Sequence, residues 1–392
     1  FLFALGLIVF VIFIFSLTFK ALTNYALIRF AQMREYSIGK RLIEGYLHQP
    51  YSWFLSRHSA DLGKIILSEV QQLVSDGIRP LMELIAKGMV AFTIILLLIV
   101  VDPILTLIIG LVLTLSYLLV FYFVSKSLKR SGKKRLFNNQ LRFTTINEAF
   151  GAAKEVKIGN LEQSYIKKFS ISAQIYARAH TSQLVIAQIP RFVLEAIAFG
   201  GILLMILYMI SQTGSFNSAL PIVSLYVFAG YRLMPAVQQI YESFTQLTFI
   251  GPSLDKLYDD ISNLNEYNIS VENKQILSFK KTISLKNINF NYPNSQRKIL
   301  QNINLSIDSK STIGIVGATG SGKTTTVDII LGLLEPQLGT LEVDGKIITK
   351  ENRRSWQHSI GYVPQQIFLA DDTIAANIAF GIDYENINQD AI

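Results

Sequence analysis

The 392-residue sequence predicts an all-α polytopic membrane helical bundle followed by an α/β domain. Three observations carry that expectation. Apolar runs long enough to cross a bilayer recur as far as about residue 237. Lys and Arg gather in two long stretches between those runs. Residues Gly317-Ala318-Thr319-Gly320-Ser321-Gly322-Lys323-Thr324 spell a complete GxxxxGK[ST] phosphate loop, which makes the second part a P-loop NTPase domain.

Composition narrows the class. Half of the residues are hydrophobic and the mean hydropathy is +0.36, too apolar for an ordinary soluble enzyme. Net charge is +8, yet the cations do not form one nucleic-acid stripe. They lie between apolar runs, as the positive-inside rule requires, so no nucleic-acid partner is expected. The absence of cysteine rules out disulfides and Cys-ligated metal. His48, His58, His180 and His358 lack metal-ligand spacing.

Five spanning segments follow in order. The first runs from residue 1 to about 28 and is uncharged as far as Phe19. It has neither the basic leader nor the small-residue cleavage site of a secretory signal, and no Met precedes it. The second covers 81–101, with Glu83 and Lys87 at helical spacing near its inner edge, and Asp102-Pro103 separates it from the third, 104–125. The fourth and fifth, 192–210 and 220–237, are joined by the polar turn 211–218.

The two short turns carry no Lys or Arg, whereas the two long connections hold most of the cations. The long connections are therefore expected in the cytoplasm. They have enough residues to extend their flanking helices past the headgroups, with short elements near 50–55 and 156–162 at the tips. The expected boundaries are a membrane part at 1–261, a polar linker at 262–281 and the N-terminal portion of a nucleotide domain at 282–392.

In that last part, strands are expected at 283–290, 305–307 and 341–343, the third ending in the turn pair Asp344-Gly345. Thr312–Val316 reads as a buried strand entering the phosphate loop, and a helix is expected from about Thr324 to Leu334. The glycines allow a backbone nest whose N–H groups meet phosphate oxygens. Lys323 would reach the β- and γ-phosphates and the Thr324 hydroxyl would hold Mg²⁺. Tyr292, about 25 residues ahead of the loop, could stack on adenine. Ile360–Val363 reads as a second buried strand, leading to Gln365, which could touch Mg²⁺ or an attacking water.

With these residues in place the chain resembles the ABC exporter family, a six-helix membrane domain followed by an ATP-binding cassette. The resemblance rests on the loop 317–324 with Thr325, on Tyr292, and on Tyr362-Val363-Pro364-Gln365 followed by Asp372-Thr373-Ile374 and Asn377-Ile378. Upstream, Ile146-Asn147-Glu148 with Lys154-Glu155-Val156-Lys157 is similar to the second cytoplasmic loop of these exporters. It covers essentially the whole chain. It implies ATP and Mg²⁺ as cofactors, Gln365 in the Q-loop, Tyr292 against adenine, and coupling helices at the two tips. It also implies a half-transporter of the bacterial cytoplasmic membrane that works as a dimer, with a second copy as the expected partner. No LSGGQ-like signature, no apolar run ending in Asp-Glu and no switch His follows, and five of six spans are visible. The sequence reads as a fragment that binds nucleotide weakly and lacks the catalytic Glu.

Residues 189–195 and 231–235 are similar to lipid-linked oligosaccharide flippases, which implies an amphipathic lipid as cargo. An exporter of peptide, drug or polysaccharide is the alternative, and a membrane-anchored nucleotide sensor or degenerate partner subunit is the reading from another class. Glu195 and Arg232 are the ionisable residues inside the last hairpin. They are expected to pair with each other or to line an inner substrate pathway.

Overall fold

A computed structural model describes residues 2–392 except 58, 102, 214–215, 265–275, 293–296 and 366. His58, Asp102, the Gly214-Ser215 step, Pro293, Gln366 and most of the expected linker thus lie outside the described residues. The chain divides into two compact units, residues 1–49 with 53–267 and residues 50–52 with 268–392.

The first unit is helical. α1 (Leu2–Leu47) ends at a tip that carries the one-turn α2 (Tyr51–Phe54). A continuous rod follows: α3 (Ser59–Lys64), a π turn at Ile65–Glu69, α4 (Val70–Leu73), a second π turn at Val74–Ile78, and α5 (Arg79–Val101). α6 (Pro103–Gly151) leads to the short α7 (Ala153–Ile158), and α8 (Glu162–Thr213) and α9 (Phe216–Ser262) complete the unit. Each expected span falls within a long helix, and the two expected tip elements are α2 and α7. At ~1.5 Å per residue, α1, α6, α8 and α9 measure roughly 70–80 Å, more than twice a ~30 Å hydrocarbon layer. Among the described residues, Phe3–Leu47 and Asp61–Val101 are long and apolar enough to cross a membrane. The N-terminal half of α1 exposes apolar side chains all round, from Phe3 to Leu22, as a lipid-facing rod does.

α6 shows how the bundle is held. Its inward face is Leu128, Gly132, Arg135 and Asn139, at steps of four, three and four residues. A Cβ at Gly132 would run into the Phe249 carbonyl on α9, so the two backbones meet there only because the side chain is absent. Arg135 is fully buried. Its Nη2 donates to Glu69 Oε2 at 2.9 Å and to Ser253 Oγ on α9, and its Nη1 donates to Gln72 Oε1. Asn139 Nδ2 donates to the other Glu69 oxygen at 2.9 Å. Glu69 closes the first π turn. An extra residue in a turn shifts the helix face by roughly 100° relative to an uninterrupted α-helix, so the π turns help set which side of the rod meets α6.

The second unit contains a four-stranded antiparallel sheet in the order β2-β1-β3-β4: β1 (Thr282–Phe290), β2 (Leu300–Asp308), β3 (Leu338–Val343) and β4 (Lys346–Ile347). The register places Leu285 opposite Leu305 and Leu341, and Phe290 opposite Leu300. Leu285 and Ile288 are three residues apart, which would put them on opposite faces of a regular strand. A register shift between them, with Asn287 at φ +52°, restores both to the core. That core continues through Ile329, Leu334 and Trp356. Asp344 and Gly345, at φ +51° and +82°, make the tight β3–β4 turn that Asp-Gly favours.

Helix α10 (Lys323–Ile330) stops four residues short of the expected Leu334. Gly332, at φ +67°, donates its N–H to Ile329 O, and Leu333 N–H reaches Asp328 O, a left-handed glycine stop. α11 (Arg353–Gln357) is pinned beside this end by Trp356 Nε1, which donates to Ile330 O at 2.8 Å. α12 (Ile374–Ile378) is capped by Thr373 Oγ1, which accepts from Ala376 N–H.

Two expected strands are not strands. Residues 312–316 and 360–363 are irregular, with Val316 and Val363 largely exposed. A strand is made by its neighbours, and the antiparallel sheet pairs neither segment.

Removing Arg135 leaves a buried carboxylate without its cation. Arg135→Met should lower the stability of the intact protein by about 3–5 kcal/mol, and adding Glu69→Met should recover most of it, read as thermal unfolding in detergent. In the second unit, the Asp344 carboxylate accepts N–H bonds of 2.7–2.9 Å from Lys280, Lys281 and Thr282. Desolvation pulls its pKa up, and the three backbone donors outweigh it, leaving the group below the usual Asp range. Its contribution to stability is complete above the unfolded Asp value and is lost as pH falls through the lower folded value. Asp344→Asn should therefore shrink the difference in denaturant midpoint between neutral pH and about pH 3.

Candidate nucleotide-binding site

The phosphate loop leaves the irregular segment 312–316 and runs exposed as far as Ser321. Gly320 and Gly322 hold φ +81° and +91°, where a side chain is strained. Gly322 is the residue from which α10 starts, and a Cβ there would sit 2.6 Å from Leu300 Cδ2. A Cβ at Gly317 would meet Ser321 Oγ at 2.7 Å. The loop is thus a cradle that demands glycine at 320 and 322 by its φ, while at Gly317 an added Cβ would press only on the rotatable Ser321 hydroxyl.

No side chain caps the N-terminus of α10, which leaves its first N–H donors to the loop side. The Lys323 ammonium lies across the cradle, donating to Gly317 O at 2.8 Å and Ala318 O at 2.9 Å. Ser321 N–H reaches Ala318 O at 3.2 Å. Thr326 Oγ1 donates to Gly322 O at 3.0 Å and closes the first helical turn. An uncapped helix end, a glycine cradle and an ammonium at its mouth form an anion site suited to a polyphosphate. Thr324 is exposed beside the loop, and its hydroxyl is a hard oxygen of the type Mg²⁺ takes. No cluster of three or more His, Cys, Asp or Glu residues that could hold a metal occurs among the described residues.

Tyr292 is brought to the same place. Its hydroxyl lies 2.9 Å from Thr325 Oγ1, and its ring meets Phe290 edge-on, centroids 5.2 Å apart. Thr325 is buried and Tyr292 half-buried. Thr319 stands exposed on the loop. Gln365 is exposed in the irregular segment after α11, and no hydrogen bond ties it to the loop among the described residues. Sequence reasoning missed Thr326 and the wall that Leu300 and Ile299 form against Gly322. Nothing local marks that wall, since it belongs to the start of β2.

The expected pair of Glu195 and Arg232 is not formed. Glu195 Oε1 accepts from Arg191 Nε at 2.8 Å, one turn earlier on the same helix. The exposed Arg232 guanidinium lies 6.0 Å from the Phe228 ring centre, also on its own helix. Partners four residues apart on one helix are already adjacent, so the local contact wins.

Comparison with known proteins agrees with this arrangement. Residues 2–235 match the family model of the ABC transporter transmembrane region, and residues 300–391 match the ABC transporter model. The Arabidopsis thaliana protein "ABC transporter B family member 29, chloroplastic" is 27% identical over 340 residues, covering 84% of this chain and 52% of that protein. A "putative export ATP-binding/permease protein" of Rickettsia bellii is 29% identical over 265 residues, covering 66% of this chain and 45% of that protein. The chain spans about half the length of these curated relatives. The structure of a bacterial Atm1-family ABC exporter with ATP bound shares the fold, with TM-score 0.75 and 18% identity over 94% of this chain and 64% of that one. A transmembrane region comes first and an ATP-binding region second, and the chain belongs to the ABC transporter family.

Proposed function

We propose that this chain is part of an ATP-driven exporter that moves an amphipathic lipid, with a lipid-linked oligosaccharide as the leading cargo, across a bacterial cytoplasmic membrane. One observation carries the reading: a glycine cradle closed by Lys323 stands on the same polypeptide as five long helices, and among the described residues Phe3–Leu47 and Asp61–Val101 are apolar enough to cross a membrane. ATP supplies the binding and hydrolysis energy. The chain's part is to receive it. Lys323 would exchange the Gly317 and Ala318 carbonyls for β- and γ-phosphate oxygens. The free N–H groups of the loop and of α10 would take the remaining charge. Thr324 and Gln365 would hold Mg²⁺, and the Tyr292 ring would stand against adenine.

The cation-rich connections that carry α2 and α7 support a cytoplasmic placing of both tips. In that placing the tips serve as coupling helices, and two copies pair so that nucleotide is enclosed between them. The lipid cargo rests on residues 189–195 and 231–235. Glu195 and Arg232 are retained as residues of the cargo pathway, each held on its own helix instead of as a pair.

In the intact protein, Lys323→Ala should reduce substrate-stimulated ATP hydrolysis to background, and wild-type turnover in that variant would refute the nucleotide assignment. Gly322→Ala should weaken ATP binding by at least tenfold, since both the φ of +91° and the Leu300 contact oppose a methyl group. Transbilayer movement of a fluorescent lipid-linked sugar in proteoliposomes separates the cargo readings. No ATP-dependent movement alongside transport of a peptide or drug would replace the lipid with that class.

A further inference from the structure

The cytoplasmic half of α6 presents a feature that nucleotide binding does not use. From Pro103 to Asn147 the helix contains no Asp or Glu, and it carries seven cations. Two of them are turned inward: Arg135 meets Glu69, and Arg142 lies 4.2 Å from the Tyr176 ring centre. The other five, Lys126, Lys129, Arg130, Lys133 and Lys134, are exposed, and none makes an ion pair or a side-chain hydrogen bond among the described residues.

Their placement follows from the helical period. At 100° per residue, the buried residues Leu128, Gly132, Arg135 and Asn139 cluster within about 60° of one another, and the five cations centre roughly opposite. Tyr122 and Phe123 project from the same outer side one turn earlier, both strongly exposed, with ring centres 5.7 Å apart. Before them the exposed side chains are aliphatic, including Leu111, Leu115 and Leu118. Along one outer face the order is therefore aliphatic, aromatic, cationic. That is the order of solvents met on leaving a bilayer: hydrocarbon, interface, headgroup phosphate.

We propose that this face is a binding stripe for anionic phospholipid of the cytoplasmic leaflet. Lys126 to Lys134 spans about 12 Å along the axis, while a headgroup layer is about 5–7 Å thick. Lys126, Lys129 and Arg130 lie at phosphate depth, and Lys133 and Lys134 reach back to it along their aliphatic stems. Five unpaired cations on one face exceed what orientation alone needs and match the size of juxtamembrane clusters that select anionic lipid. An acidic protein partner would not explain the aromatic and aliphatic residues that continue the stripe. The inference rests on the cytoplasmic placing of the α6 C-terminal half proposed above.

The test uses the intact protein in nanodiscs of phosphatidylcholine with a minor fraction of phosphatidylglycerol. Native mass spectrometry should show preferential retention of phosphatidylglycerol. Neutralising the cations to Gln one after another should weaken that retention roughly fivefold per cation. The charge-conserving set Lys126→Arg, Lys129→Arg, Lys133→Arg and Lys134→Arg should retain it at the native level, which separates charge from folding. A nitroxide on Ser127→Cys, exposed beside Lys126 in a chain that has no other cysteine, should report headgroup depth in the native protein and move towards water in the Gln series. Equal retention of both lipids, or unchanged retention in the Gln series, overturns the proposal. So does a nitroxide shielded only by a second copy, which would make the face a protomer interface. Labelling of the same cysteine by an impermeant maleimide from outside intact cells would instead refute the orientation. Lipid preference lost from a correctly oriented protein refutes the stripe alone.

Discussion

A guanidinium cannot be left without partners in an apolar interior, and Arg135 is fully buried. Its bonds to Glu69, Gln72 and Ser253 join α6 to the rod that ends in α5 and to α9. Once that residue points inward, the helical period leaves little freedom. Leu128, Gly132 and Asn139 must share its side, Gly132 must lie against Phe249, and the neighbouring cations must face out. Helix packing between apolar surfaces is tolerant of rotation, whereas a charged, directional contact is not. One ion pair thus fixes the rotation of α6 along the length that follows its membrane span.

Much of the architecture was legible because it depends on local pattern. Apolar runs of spanning length became helices, short elements formed near the expected tips as α2 and α7, and Asp344-Gly345 made its turn. What failed depends on distant chain. Thr312–Val316 has strand-like residues, but propensity supplies no hydrogen-bond partner, and the sheet pairs neither it nor 360–363. Arg135 follows Lys133 and Lys134 with nothing local to set it apart, and only its phase relative to Leu128 and Gly132 does so. By contrast, the stop of α10 was readable from Gly332, and the Arg191–Glu195 spacing was readable as an intrahelical pair. Those two misses came from favouring longer reach over the nearer physical option.

The phosphate site divides the same way. The glycine spacing declares the loop, yet the reason glycine is needed at 322 is Leu300, which begins a strand more than twenty residues earlier. Tyr292 was identified by its place at the end of β1, and its link to Thr325 depends on how β1 and α10 share one core. Residues of the loop itself were therefore visible in the sequence, while the groups that shape and tether it were not.

The arrangement of Lys323 has an energetic consequence. Its ammonium already donates to two carbonyls inside the loop, so a polyanion does not meet a bare charge. It must offer oxygens that are better acceptors than the two carbonyls it displaces. Phosphate does, because both members of the new contact are ionised, whereas in the present one only the ammonium is, and opposite charges add a direct Coulomb attraction. A neutral polar molecule offers nothing better than the loop's own carbonyls and gains little by the exchange. The self-contact thus sharpens selection for charge over mere hydrogen-bonding capacity, and it keeps the cradle shaped around a cation.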